Sequence, residues 1–110
     1  IYICHSVHEA LPISILEAIA CSLPVITTDA GGTGEIVNER SQCGIKVIYG
    51  DVDGMADAMK QLFESAQLRE QYGRNGLETV KREFSIDSMV SKTREIYRNC
   101  VYSPASRCKP

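Results

Sequence analysis

Two kinds of apolar pattern alternate along the chain. Short continuous runs occur at Ile1-Tyr2-Ile3-Cys4, Pro24-Val25-Ile26-Thr27 and Gly44-Ile45-Lys46-Val47-Ile48, each of strand length and type. The β-branched character of the second suits a sheet buried on both faces. Between them, Ile13, Leu16, Ile19 and Ala20 recur at helical spacing. They predict a helix from Pro12 or Ile13 to Cys21, stopped by Ser22-Leu23-Pro24. Thr28–Gly32 reads as a turn and Thr33–Val37 as a short helix with Thr33 as its cap. Gly50-Asp51 makes another turn, after which Asp53 can cap a helix to about Ser65. In that helix Met55, Met59, Leu62 and Phe63 form one stripe, read as core packing. Gln67–Phe84 is a longer, more polar helix, interrupted or weakened near Gly73 and Gly76. Ser85 then caps a last helix whose apolar positions are Ile86, Met89, Val90, Ile96 and Tyr97.

Strand–helix alternation with short apolar strands predicts an α/β fold, a Rossmann-like parallel sheet with flanking helices. With 110 residues the chain fits one core. Residues 1–102 are expected to form one domain, and 103–110 a tail without periodicity. The three strands are few for a doubly wound sheet, and the chain opens in mid-strand without an initiator Met. It therefore reads as part of something longer. In open α/β sheets ligands bind beyond the carboxyl ends of the strands. The loops His5–Leu11 and Thr28–Gly32 both fall there.

Composition changes this picture little. The net charge is −2 and the pI about 5.7, with the basic residues scattered, so no nucleic-acid surface is expected. No apolar run approaches the roughly 20 residues that span a bilayer. The five cysteines are odd in number and fit no metal-ligand spacing, so they read as free thiols in a reducing compartment, with no metal site.

The candidate chemistry sits in His8–Glu17, H-E-A-L-P-I-S-I-L-E. Pro12 suits a helix start and not a helix interior. Glu9 thus stands in front of the helix and Glu17 rises from its first turns. An anion-attracting helix N-terminus then lies between two acceptor groups. Two plainer readings compete. Ser14-x-x-Glu17 fits a capping box, in which Glu17 only satisfies an orphan amide, and Glu9 fits an ordinary solvated loop residue. Gly31-Gly32 is either a loop beside a ligand or only a turn. Glu35 is read as supporting the short helix, and His5 and His8 have no evident partner, although His8 adjoins Glu9.

The stretch S-V-H-E-A-L-P-I-S-I-L-E-A-I-A-C-S-L-P-V-I-T-T-D-A-G-G-T-G-E-I-V resembles the nucleotide-sugar-binding half of retaining GT-B glycosyltransferases, the "glycosyl transferases group 1" family. The Glu-x7-Glu spacing, the following E-A-I-A, the P-V-I strand and the G-G-x-x-E turn occur in order. The likeness continues through G-I-K-V-I-Y-G-D-V-D-G-M-A-D-A-M and F-S-I-D-S-M-V, about residues 1–100. The commonest family form has glycines after the first Glu. Here Ala10, Leu11 and Pro12 occupy that loop, which removes one amide, at Pro12, from phosphate contact.

The resemblance implies the C-terminal, donor-binding part of a retaining hexosyltransferase. It would move a sugar from a nucleoside-diphosphate sugar to an acceptor hydroxyl with no cofactor and no obligatory metal. Glu9 matches the carboxylate against the donor sugar and reaction centre, and Glu17 the one that holds the ribose hydroxyls. The amides of Ala10, Leu11 and Ile13 are implied to approach sugar and phosphates, with Gly31 and Gly32 beside the ligand. The family's Arg and Lys for the leaving diphosphate, and its acceptor domain, lie upstream of Ile1, so the chain alone is expected to be inactive. The parent is expected in the cytoplasm, reaching a sugar, lipid or polysaccharide acceptor, at times on the inner face of the membrane. Two alternatives stand beside this: a non-catalytic nucleotide-binding fragment, and a GT-B-type sugar-nucleotide epimerase.

Overall fold

A computed structural model describes residues 1–102. The elements are β1 (Tyr2–Cys4), α1 (Ile13–Ala20), β2 (Val25–Thr28), α2 (Thr33–Ile36), β3 (Gly44–Val47), α3 (Val52–Glu64), α4 (Ala66–Glu83) and α5 (Ile86–Tyr102). The three strands form a parallel sheet in the order β1-β2-β3, with Ile3 beside Ile26 and Ile26 beside Ile45. The expected α/β architecture is therefore present. The expected tail, with Cys108, lies outside the described residues.

Each face of the sheet has its own helices. Cys4 and Val25 pack with Ile15, Ala18 and Ile19 of α1, against Val80 of α4 and Phe84 just after it. Ile26 and Val47 pack on the opposite face with Ala58 and Leu62 of α3. The central strand β2 is fully buried along its length, as its β-branched sequence predicts. Among the described cysteines, Cys4, Cys21 and Cys43 are free thiols. Burial pushes the Cys43 thiol up from its ordinary value, against a weaker opposing effect of its bond to Ser41, so it stays protonated and inert at neutral pH.

Several local expectations are corrected. The cap of α3 is Asp51, whose carboxylate accepts from the Gly54 amide at 2.9 Å. Asp53 lies inside the first turn instead. Thr33 does not cap α2. Its hydroxyl accepts from the Ala30 amide and donates to the Thr28 carbonyl, both at 3.0 Å, tying the end of β2 to the turn that follows. Helix α4 is unbroken at Gly73 and Gly76, because both glycines are buried contact points and not breaks. In α3, Leu62 is buried while Met59 and Phe63 are exposed. They flank a shallow apolar hollow over Ile1 and Ile3 where no helix lies among the described residues. The apolar positions of α5 (Ile86, Met89, Val90, Ile96 and Tyr97) are likewise exposed.

The link between α1 and β2 carries a strained residue. Ser22 holds a left-handed φ of 59° just past the helix end, where glycine is the unstrained choice. A left-handed L-residue costs roughly 1–2 kcal/mol, and glycine returns part of that gain through its freer unfolded chain. Ser22→Gly should therefore raise stability by about 0.5–1 kcal/mol, measurable as a higher urea midpoint at unchanged slope. An unchanged midpoint would mean the turn carries no strain.

Candidate functional site

The candidate site lies where the C-terminal ends of β1 and β2 meet the start of α1. Strand β1 ends at Cys4, and the loop that follows is pinned by one residue of β2. The Thr28 hydroxyl accepts from the Ser6 amide at 3.0 Å and donates back to the Ser6 carbonyl. Thr28 is fully buried and Ser6 half-buried, so this pair of hydrogen bonds to main chain is partly shielded from water. Ser6 then turns its own side chain on Glu9, its hydroxyl donating to Glu9 Oε1 at 2.7 Å, a well-formed O–H···O bond.

The other side of the loop rests on Gly31-Gly32. The Gly32 amide donates to the Glu9 carbonyl at 3.0 Å. A Cβ on Gly32 would lie 1.7 Å from the Ala10 carbonyl oxygen, and one on Gly31 would lie 2.1 Å from that of Glu9. Gly31 also has a left-handed φ of 55°, which costs glycine nothing. The pair is therefore more than a turn: it is the surface on which the Glu9-Ala10 backbone sits. Gly32 is buried and Gly31 exposed.

Helix α1 begins after Pro12, whose carbonyl accepts from the Ile15 and Leu16 amides at 3.1 and 3.4 Å. No side chain caps this helix. Ser14 and Glu17 do not form the capping box that their spacing allowed, because Pro12 sets the helix start two residues before Ser14. Ile15, Ala18 and Ile19 face the core, which leaves Glu17 on the exposed side, its carboxylate without a hydrogen bond or ion pair among the described residues. Side chains on a helix lean toward its N-terminus, so Glu17 leans back over the first turn. The amides of Ala10, Leu11 and Ile13 donate no hydrogen bond among the described residues, and the first amides of a helix have no intrahelical acceptor in any case.

The other expected residues are placed as follows. Glu35 is exposed in the first turn of α2. Among the described residues His8 hydrogen-bonds only the neighbouring Val7 carbonyl, at 3.2 Å. His5 does have a partner, packing its ring against Tyr49 with centroids 5.0 Å apart. Sequence reasoning missed the Ser6–Glu9 bond and the Thr28 clamp. A signal for the first was present, since Ser6-x-x-Glu9 repeats the spacing of Ser14-x-x-Glu17.

The charge balance is one-sided. Residues 1–38 carry Glu9, Glu17, Asp29 and Glu35 but no Lys or Arg. Lys46 comes up from β3, and it pairs with Asp29 at 3.2 Å. The arrangement can accept hydrogen bonds from vicinal hydroxyls and offer backbone amides to an anion. Among the described residues, the loop and helix start themselves carry no cation for a diphosphate.

The family model for "Glycosyl transferases group 1" matches residues 1–79. The chain belongs to this family. It is 35% identical to alpha-maltose-1-phosphate synthase of Mycolicibacterium smegmatis over 89% of this chain and 27% of that protein. It is 33% identical to N-acetyl-alpha-D-glucosaminyl L-malate synthase of Bacillus anthracis over 81% and 23%. Sucrose-phosphate synthase of Thermosynechococcus elongatus superposes with a TM-score of 0.81 at 26% identity, over 90% of this chain and 25% of that one. The parallel sheet and its helices thus share the α/β, Rossmann-like architecture of GT-B glycosyltransferases. This group 1 glycosyltransferase chain spans about a quarter of the length of the curated relatives it matches.

Proposed function

We propose that this chain is the donor-binding part of a retaining hexosyltransferase that moves a sugar from a nucleoside-diphosphate sugar to an acceptor hydroxyl. The free carboxylate of Glu17 carries the reading. A side chain that caps no amide and pairs with no cation is available to a ligand. An ionised carboxylate is an acceptor-only group able to take two vicinal hydroxyls, as a ribose presents. Glu9, one loop away, faces the donor sugar and reaction centre. The amides of Ala10, Leu11 and Ile13 approach the sugar and phosphates, where the dipole of α1 favours the diphosphate as it leaves. Gly31 offers the exposed part of the glycine pair to the ligand, and Gly32 holds the loop from behind.

Residues 1–38 carry no Lys or Arg, so the positive charge that a leaving diphosphate needs comes from outside that stretch. The reading needs no metal and no cofactor. The 110-residue chain alone binds a donor weakly and does not turn it over. The parent works in the cytoplasm and meets its acceptor there or at the inner face of the membrane. The free thiols support a reducing compartment. No helix among the described residues is long and apolar enough to cross a membrane.

Titration of the chain with UDP, GDP and ADP, followed by amide NMR shifts, tests the reading. At least one nucleotide should move signals in the loop and first turns of α1. Glu17→Ala should weaken its binding by about ten- to a hundredfold, the worth of hydrogen bonds to a charged group. Equal affinity in the variant, or a well-dispersed spectrum that answers to no nucleotide, would overturn it.

A further inference from the structure

We propose that Ser6 is a positioning residue for Glu9, fixing its carboxylate as a hydrogen-bond acceptor with one oxygen left for a hydroxyl of the bound sugar. The proposal rests on the reading of Glu9 as the donor-sugar carboxylate. Its structural half stands on geometry alone.

The loop around Ser6 is built in two separable parts. The main chain of Ser6 is held at both its amide and its carbonyl by the buried Thr28 hydroxyl. The path of the loop therefore does not depend on the Ser6 side chain. That side chain has a different task. Its proton goes to Glu9 Oε1 at 2.7 Å, and its oxygen lies 3.6 Å from the Sγ of buried Cys4. With the hydroxyl proton committed to Glu9, the Cys4 thiol is the donor in the second contact. The bonds then run in one direction, from Cys4 through Ser6 to Glu9, and each polarises the next.

The direction of this chain sets the chemistry. The Ser6 hydroxyl spends its proton on Oε1, so it meets that carboxylate oxygen as an acceptor. Oε1 is engaged and Oε2 has no partner among the described residues. Glu9 has a flexible side chain on a half-buried loop, and it would otherwise lose rotamer freedom only when the ligand arrives. The bond from Ser6 orders it beforehand. A sugar hydroxyl donating to Oε2 meets an acceptor already in place.

Side-chain NMR of the chain tests the structural half. The Glu9 couplings and methylene NOEs should report one rotamer in the wild type, averaging in Ser6→Ala, and one rotamer again in Ser6→Thr, which keeps the hydroxyl. Glu9→Ala reads the same bond from the other end, by freeing the Ser6 β-methylene. Amide shifts of Thr28 should stay in place in all variants, since the clamp uses main chain. Equal averaging of Glu9 in wild type and Ser6→Ala would overturn the proposal, whatever the nucleotide does.

Affinity for a nucleotide sugar against the bare diphosphate tests the functional half. Ser6→Ala should lose about three- to tenfold for UDP-glucose or GDP-mannose, the worth of one ordered hydrogen bond. It should lose nothing for UDP or GDP. An ordered Glu9 whose release leaves both affinities unchanged would uphold the positioning role and overturn the sugar contact. No response to any nucleotide in a folded wild type would sink the reading of the site and leave the rotamer result standing.

Discussion

Gly32→Ala should be among the most damaging single methyl groups that can be added to this chain. Its Cβ would lie 1.7 Å from the Ala10 carbonyl oxygen, 2.7 Å from the Ala10 carbonyl carbon and 3.2 Å from Leu11 Cα. All three are backbone atoms, so no flexible side chain can swing aside. The backbone of Gly32 is itself ordinary, with φ −69° and ψ −4°, a conformation alanine adopts freely. The effect is therefore steric alone. The loop must move off the turn, and the Gly32 amide loses its acceptor on Glu9. Overpacking of this kind costs typically 1–3 kcal/mol, and an unsatisfied amide adds about 1 kcal/mol or more. A drop in Tm of roughly 10 °C or more is expected for a domain of this size, with shifts spread over Glu9–Ile13 and nucleotide affinity reduced about tenfold or more. Gly34→Ala is the control, because its Cβ would meet nothing nearer than Lys46 Nζ at 3.6 Å and Asp29 Oδ1 at 3.7 Å. A Gly32→Ala protein as stable as the Gly34→Ala protein would refute the close approach.

This contact explains how much of the site could be read before the fold was known. The positions of Glu9 and Glu17 followed from one residue, since Pro12 divides loop from helix and fixes which carboxylate stands on which side. The use of Glu17 did not follow. Its spacing from Ser14 allowed a capping box, and only the start of α1 at Ile13 leaves the carboxylate free. The same spacing between Ser6 and Glu9 does make a bond, because there the loop is pinned by Thr28. Local patterns name the groups that could pair, while the long-range clamp decides which do. Gly31 and Gly32 were legible as a turn. What a turn touches depends on a loop more than twenty residues upstream, which no local signal carries.

The fold divides in the same way. The strands were legible because buried parallel strands are continuous β-branched runs, and β2 shows all four residues buried. The α3 stripe was half legible. Periodicity identifies an apolar face but does not say that a partner covers all of it: Leu62 meets the sheet, and Phe63 does not. The cap was missed by two residues, since Asp51 and Asp53 both satisfy the sequence rule and the helix start chooses between them. The first miss concerns what covers an apolar face, and the second which of two adequate residues the helix start selects.

Gly73→Ala sets local propensity directly against packing, and packing should win. In the middle of α4, alanine is favoured over glycine by about 1 kcal/mol, and the sequence alone marks Gly73 as a weak point of the helix. In the fold, a Cβ at Gly73 would lie 2.3 Å from the Ser22 carbonyl oxygen and 3.1 Å from its carbonyl carbon. Ser22 sits in the left-handed turn that ends α1, and α1 and α4 pack together on this face of the sheet. The turn can yield only by shifting backbone that is already strained. A clash with backbone falls in the upper part of the about 1–3 kcal/mol that overpacking costs, which exceeds the propensity gain, and a net loss of about 1–2 kcal/mol follows from the two together. Gly76→Ala should cost less, because its nearest atoms are the side-chain carbons of Ile19 at 2.9 Å and Cys43 at 3.3 Å, which can adjust. The sign reversal is the decisive readout. In a peptide of residues 66–83, Gly73→Ala should raise helicity by circular dichroism, and in the whole chain it should lower the urea midpoint. A gain in both would show that α4 does not approach the Ser22 turn, and the glycine would then be only the weak link that the sequence suggests.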